Sequence, residues 1–244
     1  LLLDLDANDA EARTLRAAAP AANCVVYYTA TAHCKQGCKL EQELMSATQV
    51  QANEVHGGRR APWLPLAATV AIVGLLLALV PPEKTLGWII RPVFLHGALV
   101  QAGLLAFAAA GLLGLAGFVQ RSPALNAWCL AVQETAAGLW VAYALSSLVT
   151  TRLAWGEWLA WDEPRVRASV HVLWFCLACL LLVRWMNHPL FTAIANVVQA
   201  GAVWFLIKGA GLLRHPFDPI GDSNSFTYQV IFWLLVVTVL AGAA

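Results

Sequence analysis

The sequence predicts an all-α membrane protein: a polytopic helical bundle with about six transmembrane helices and a small N-terminal extramembrane extension. The first observation is composition, because 60% of the 244 residues are hydrophobic and only 12% are charged, whereas about a quarter of the residues of a soluble domain are charged. The second is that long apolar runs alternate with short polar breaks from residue 62 onward. The formal net charge of +1 favours no nucleic-acid partner.

The N-terminal extension differs from the rest of the chain. Residues 1–60 carry much of the acidic charge and contain no apolar run long enough to cross a bilayer. Their composition predicts helices over residues 9–16 and 39–44, with Pro20 as a break between them. Their apolar content is too small for an independent core, so we expect a segment that packs on another surface or is partly disordered. The predicted domains are therefore residues 1–60 and residues 61–244.

Three cysteines of the extension leave three interpretations open. Cys34 and Cys38 form a C-x3-C pair next to His33, and Cys24 precedes them. They are a metal site, half of a disulfide-linked helical hairpin, or no site. Because structural zinc sites pair two ligand sets and this stretch offers one, absence of a site is the favoured interpretation.

Six apolar runs approach the roughly 20 residues that span a hydrocarbon core. They cover residues 62–81, 92–118, 127–150, 168–186, 189–213 and 227–244. Prolines in the breaks between them predict helix ends. Small residues recur through the second run, which predicts a close helix–helix contact there. Counting Lys and Arg places the connection after the third run inside, whereas net charge places it outside, so the orientation stays open.

Few polar side chains lie inside these runs, and each is a candidate site. His96 begins the second run, Gln133 and Glu134 lie in the third, His171 lies in the fourth, and Lys208 lies near the end of the fifth. For His96 taken alone, a hydrogen-bonded structural histidine is the simplest interpretation. Lys208 is predicted to extend its ammonium group to the membrane surface. For Glu134, two alternatives stay open: a polar contact within the bundle or an ion pair with Lys208.

The connection between the third and fourth runs is rich in tryptophan. Trp155, Trp158 and Trp161 lie within seven residues, in the pattern W-G-x-W-x-x-W-D, and Arg165 follows closely. Indole rings favour the headgroup level of a bilayer, and they also stack on flat ligands. The residues alone therefore allow an interfacial aromatic belt or a binding surface.

This pattern resembles the signature loop of the WWD family of membrane proteins, which handle haem during c-type cytochrome maturation. Among these, it is most similar to the haem exporter C proteins of system I. The stretch from Arg91 to His96 resembles the arginine-to-histidine segment that opens the family's second span, and the segment from Asn196 to Phe205 resembles the approach to its fifth loop. The resemblance covers residues from about 62 to 244.

The resemblance implies a b-type haem on the outer face of the bundle. Indoles would cover the porphyrin, arginines would hold its propionates and histidine would bind iron. The cofactor-binding residues implied are His96, Trp155, Trp158, Trp161, Asp162, Arg165 and Arg91. The family's second histidine is replaced here, since Gln199, Ala200 and Gly201 occupy its position, so the candidate iron ligands are His96, His171 and His215.

Two functions follow from the resemblance. The first is a haem-binding, haem-presenting protein for cytochrome c maturation, which performs no bond-making chemistry and is not an enzyme. The second is a non-catalytic structural subunit of a larger inner-membrane complex that has lost haem binding. The expected partners are the lipid bilayer and either a haem chaperone or other membrane subunits. The mitochondrial inner membrane is the favoured location, with the bacterial inner membrane as the alternative.

Overall fold

A computed structural model describes residues 12–15, 26–29, 63–214, 220 and 223–243 of the chain. By internal contacts the chain divides into two units, Leu1–Ala61 and Pro62–Ala244. Each unit is described by itself.

The described part of the first unit is a pair of short antiparallel strands. Strand β1, Ala12–Leu15, pairs with strand β2, Val26–Thr29, so that Ala12 lies opposite Thr29 and Leu15 opposite Val26. The helix predicted over residues 9–16 is therefore wrong at residues 12–15. Helix propensity is a weak preference, and pairing with a β-branched and aromatic partner strand overrides it here. The helix predicted over residues 39–44 and the three cysteines lie outside the described residues.

The described part of the second unit contains six helices, one in each predicted apolar run. They are α1 Trp63–Leu79, α2 Ile90–Val119, α3 Pro123–Trp155, α4 Pro164–Met186, α5 Pro189–Gly209 and α6 Phe226–Ala243. Four of these, α2, α4, α5 and α6, are long and apolar enough to cross a membrane by length and composition. By length and composition, these four helices confirm the predicted helical membrane bundle and indicate an integral membrane protein.

The helix ends follow from local sequence. Helices α3, α4 and α5 each begin with proline, whose missing N–H would have no intrahelical partner at that position. The Ser122 hydroxyl accepts a hydrogen bond from the Leu125 amide (3.2 Å) and caps α3. Gly156 (φ 79°) and Asn187 (φ 44°) adopt the left-handed conformation that ends α3 and α4. These ends leave only residues 156–163 between α3 and α4.

The core forms around α2, which packs against α1, α3, α5 and α6. Phe94, Phe107 and Trp140 are its largest buried side chains, and the Phe107 and Trp140 rings lie 5.7 Å apart. On another face of α2, glycines bring its backbone against α5: a Cβ added at Gly111 would lie 2.6 Å from the Cβ of Ala200. The close contact predicted from the small residues of this run is confirmed.

Buried amide side chains join α3 to α5. The Gln133 Nε2 donates to the Gln199 Oε1 (3.0 Å), and the Asn196 Nδ2 donates to the Cys129 carbonyl oxygen (2.9 Å). Gln133, Asn196 and Gln199 are at most 1% exposed. Glu134, the next residue on α3, pairs with Arg184 of α4. The amide pairs therefore set the register of α3 on α5.

Candidate functional site

Three connections lie at one end of the bundle, where α1, α3 and α5 end and the next helices begin. We call this end the loop face and define it by residues 80–89, 155–163 and 210–214. Residues 155–163 are termed the tryptophan loop. All the tryptophans of the predicted haem site belong to it.

The backbone of the tryptophan loop is held at both ends by hydrogen bonds. The Gly156 amide donates to the Arg152 carbonyl oxygen (3.1 Å) and completes the end of α3. The Thr151 hydroxyl donates to the Trp158 carbonyl oxygen (2.9 Å), which folds the loop back on α3. At the other end, the Glu163 amide donates to the Ala160 carbonyl oxygen (3.1 Å). The loop therefore presents its side chains from a defined backbone.

Glu163 ties the tryptophan loop to the segment that follows α5. Its side chain is fully buried, and its carboxylate accepts hydrogen bonds from the backbone amides of Arg214 (2.7 Å) and Leu213 (3.4 Å). It also precedes Pro164, the first residue of α4, where the positive end of the helix dipole stabilises an acidic side chain. Sequence reasoning missed this role, although an acidic residue directly before an N-terminal helix proline was a usable signal.

Arg214 is the second contact between these segments, and it was also missed. Its Nη2 lies 2.5 Å from the Asp162 Oδ2, and its Nη1 lies 3.3 Å from the Glu157 Oε1. Its guanidinium carbon lies 5.7 Å from the ring centroid of Trp155. The hydrogen bonds from Arg214 to Asp162 and then to Glu157 raise the pKa of its guanidinium. One guanidinium therefore contacts two of the three acidic side chains of the loop and one of its indoles.

The other two indoles of the loop lie at the surface. Trp158 is 62% exposed and Trp161 is 50% exposed. The Arg152 guanidinium lies 5.8 Å from the Trp158 ring centroid. We call Trp158 and Trp161 the indole platform. Their exposure leaves aromatic surface available to lipid headgroups or to a flat ligand.

Arg91 and Arg165, which were predicted to hold propionates, lie in the first turns of α2 and α4. The Arg91 Nη2 donates to the Ala78 carbonyl oxygen (2.7 Å), and its Nε donates to that of Val80 (3.3 Å). Its guanidinium also lies 4.3 Å from the Trp88 ring centroid. Arg91 therefore satisfies the carbonyl end of α1. Arg165 lies in the first turn of α4, and its Nε is buried.

The structure separates His96 from the indoles. The His96 ring packs 4.9 Å from the ring of Tyr143, whose hydroxyl lies 2.7 Å from the Ser169 Oγ on α4. Tyr143 precedes Trp155 by twelve residues on the same helix, which corresponds to about 18 Å along its axis. His96 thus packs on a tyrosine of α3 inside the bundle. That it is a hydrogen-bonded structural histidine stays a prediction.

Of the two remaining predicted iron ligands, the structure describes His171. His171 is exposed on α4, two residues after Ser169, and two residues correspond to a rotation of about 200° around a helix. Its side chain therefore lies on a different face from the one that contacts Tyr143. His215 lies outside the described residues. Across the ranges 63–214, 220 and 223–243, no three His, Cys, Asp or Glu side chains form a group that can hold a metal ion.

The loop face thus combines exposed indoles with a guanidinium that contacts carboxylates. Indoles suit a flat apolar surface and a guanidinium suits a carboxylate. A scan of the chain against models of known protein families gives no match, and comparison with curated proteins gives none either.

Proposed function

We propose that this integral membrane protein binds haem without covalent attachment at its loop face and presents it to a partner, with no catalytic chemistry of its own. The observation that carries the proposal is the indole platform: Trp158 and Trp161 are 62% and 50% exposed on a loop whose backbone is held by hydrogen bonds. The resemblance of this loop to that of WWD proteins supplies the class of ligand.

The platform suits a flat apolar ligand for a physical reason. Each indole buries a large area when it is covered, and that burial is the main favourable term in binding such a ligand. Because the loop backbone is already ordered, less conformational entropy is lost on binding. A belt residue needs only the membrane interface, whereas two exposed indoles on one held loop offer a defined surface.

Six membrane spans form part of this proposal. Helix α1 has 17 residues, about 26 Å of helix, close to the ~30 Å thickness of the hydrocarbon core. Exposed tryptophans lie near both ends of the bundle, as belts at two membrane surfaces would require. Trp63, Trp128 and Trp185 lie near one end, and Trp88, Trp158, Trp161 and Trp204 lie at or near the loop face. The Lys208 ammonium lies 5.2 Å from the Trp204 ring, near the end of α5, where it can reach the surface.

The proposed location and partner follow from the resemblance. We place the protein in the mitochondrial inner membrane, with the bacterial inner membrane as the alternative, and we take its partner to be a haem chaperone. The hydrogen bond from the Arg214 backbone amide to Glu163 supports this indirectly, because it keeps the loop in place while the platform faces another protein.

An absorbance spectrum of the detergent-purified full chain, oxidised and dithionite-reduced, tests the proposal after addition of one equivalent of haem. We expect a Soret band, and we expect haem affinity to fall in a Trp158→Ala/Trp161→Ala variant. Trp174→Ala is the matched control, because Trp174 is 67% exposed but lies in the middle of α4. Folded protein whose spectrum shows no bound haem would overturn the proposal.

Histidine variants test the iron ligand in the same assay. His96→Ala, His171→Ala and His215→Ala are compared, and a change in the Soret maximum or in the reduced spectrum identifies an axial ligand. Because His96 packs on Tyr143, His96→Gln serves as a second variant that keeps polar volume at this position. If none of these variants changes the spectrum of bound haem, ligation of the iron by His96, His171 or His215 is refuted.

One observation favours the second function, a non-catalytic subunit of a larger membrane complex. Arg184 and Glu134 form an ion pair between α4 and α3, and their side chains are 58% and 37% exposed. Charged groups facing lipid are costly, so a neighbouring subunit would provide a better surface for this pair. Native gel electrophoresis of the mildly solubilised membrane tests it: migration as part of a large complex that is lost in Glu134→Leu/Arg184→Leu supports this function, and migration as a free protein refutes it.

A further inference from the structure

We propose that Arg214 is a carboxylate-binding subsite of the loop face, occupied by the chain's own Glu157 and Asp162, which the carboxylates of a bound ligand replace. The inference rests on the proposed function and adds the residue that recognises the acidic groups of the ligand.

The geometry around Arg214 is already that of a carboxylate site. Two carboxylate oxygens lie within hydrogen-bonding distance of its guanidinium, the Asp162 Oδ2 at 2.5 Å and the Glu157 Oε1 at 3.3 Å. A planar guanidinium presents several N–H donors in a fixed arrangement that matches carboxylates. The guanidinium carbon lies 5.7 Å from the Trp155 ring centroid, so an aromatic surface adjoins the cation. A flat acid meets both features together.

The present occupants are of the exchangeable kind. The Glu157 and Asp162 side chains are 50% and 51% exposed, and the Arg214 side chain is 34% exposed. Ion pairs this open to solvent contribute little, because water screens them and two flexible side chains must be ordered. A ligand held in addition by stacking on the platform has a second source of binding energy. It can therefore displace them.

The backbone of Arg214 stays in place when the partners of its side chain change. The backbone amide of Arg214 donates to the buried carboxylate of Glu163 at 2.7 Å, and that contact does not involve the guanidinium. Exchange of the side-chain partners therefore leaves the connection between the loop and the segment after α5 intact. The subsite combines a held backbone with a side chain that is free to change partners.

Two other arginines near the loop face are bound to backbone oxygens. Arg91 donates to the carbonyl oxygens of Ala78 and Val80, and Arg152 donates to that of Gly156. Arg214 differs in that its side-chain hydrogen bonds go to two carboxylates. The chemistry this points to is a dicarboxylic acid with a flat apolar body.

The test uses metal-free protoporphyrin IX, which carries two carboxylates, and its dimethyl ester, which carries none. Each is titrated into the detergent-purified full chain and followed by fluorescence. The variants are Glu157→Gln/Asp162→Asn, which removes the internal competitors, and Arg214→Gln, which removes the site. Glu134→Gln/Arg184→Gln is the control, because it breaks an ion pair that lies away from the loop face.

We expect Glu157→Gln/Asp162→Asn to bind the diacid about two- to fivefold more tightly, as loss of exposed ion pairs to the site predicts. Arg214→Gln should bind it about tenfold more weakly, since a charge-assisted hydrogen bond is lost. Binding of the ester should change less than twofold in both, and the control should match wild type. Arg214→Gln is checked by far-UV circular dichroism, and if it does not fold, the acid variants decide.

The opposite sign overturns the inference. If Glu157→Gln/Asp162→Asn binds the diacid no better or more weakly than wild type, the two acids only position the loop and Arg214 is not a ligand site. The proposed function survives that result, because wild type still binds porphyrin. If neither porphyrin binds wild type, the proposed function fails and the inference fails with it.

Discussion

Replacing Gly111 by alanine tests the packing of α2 on α5 more directly than any change in a large side chain. The added Cβ would lie 2.6 Å from the Cβ of Ala200, whereas carbon atoms in contact are about 3.5–4.0 Å apart. The two helices must therefore move apart by about 1 Å along this contact, since neither group has a rotatable bond that could relieve it. The contact lies next to the buried amides that join α5 to α3.

The magnitude follows from two opposing terms. Overpacking costs about 1–3 kcal/mol, and we take the upper half of that range because two backbones must shift. Alanine gains about 1 kcal/mol over glycine within a helix. We therefore expect Gly111→Ala to lower the free energy of unfolding by about 1–2 kcal/mol. The measurement is reversible unfolding in mixed micelles at increasing dodecyl sulfate, with helix content followed by far-UV circular dichroism.

Two further variants identify the atoms responsible. Ala200→Gly removes the Cβ that clashes, so Gly111→Ala/Ala200→Gly should show a favourable coupling energy of about 2 kcal/mol in a double-mutant cycle. At Gly114 the nearest atom to an added Cβ is the Ala193 backbone oxygen, at 2.6 Å. Gly114→Ala should therefore be destabilising too, but Ala193→Gly should not rescue it, because the oxygen remains.

Gly138→Ala is the control. An added Cβ at Gly138 meets nothing within 4 Å, so this change should be neutral or stabilise by up to about 1 kcal/mol. If Gly111→Ala behaves like Gly138→Ala and shows no coupling with Ala200→Gly, the helices are not in contact as described. The close packing of α2 on α5 at Gly111 and Ala200 would then be refuted.

Two other predictions concern polar contacts. Gln133→Leu should cost about 1–3 kcal/mol of stability in the same unfolding assay, because the Gln199 amide loses its buried partner. Gln133→Leu/Gln199→Leu should cost less than that single change. An equal or greater loss of stability in the double variant would contradict this account. At Glu83, hydrogen bonds from the Thr85 hydroxyl and then from the Leu86 and Thr85 amides lower the carboxyl pKa from its ordinary value of 4.5. The stabilisation is therefore present above pH 4.5 and is lost as the pH falls through the lowered value. The protection of the Thr85 amide against exchange, taken relative to an unstructured chain at the same pH, should therefore decrease there. Glu83→Gln should abolish this pH dependence, and a pH profile identical to that variant's would refute it.

Helix boundaries show what apolar runs can and cannot predict. The run predicted at 127–150 lies inside α3, which extends from Pro123 to Trp155. Its extra residues lie at the two ends of the helix and are helical because Ser122 caps one end and Gly156 the other. Apolar content marks the part of a helix that avoids water, whereas hydrogen-bonded caps decide where the helix stops. The strand at residues 12–15 shows the same limit, because its partner lies eleven or more positions further along the chain.

The candidate site also has a part that could be predicted from the sequence and a part that could not. The tryptophan pattern could be located from the sequence, because three indoles and an acid at short spacing are visible without a fold. The contact between Arg214 and Glu163 could not be predicted, because it joins residues about fifty positions apart in the chain. Glu134 was left with Lys208 as a possible partner, and the structure pairs it with Arg184 instead. Which charges meet depends on how the helices pack.

Composition and the length of apolar runs act locally along the chain, so they are enough to predict a helical membrane bundle with an aromatic connection. The contact of α2 with α5 through glycines, the packing of His96 on Tyr143 and the contacts of Arg214 with Asp162 and Glu157 follow from the fold alone. These are contacts between segments distant in sequence. They depend on shape and distance, which no local pattern encodes.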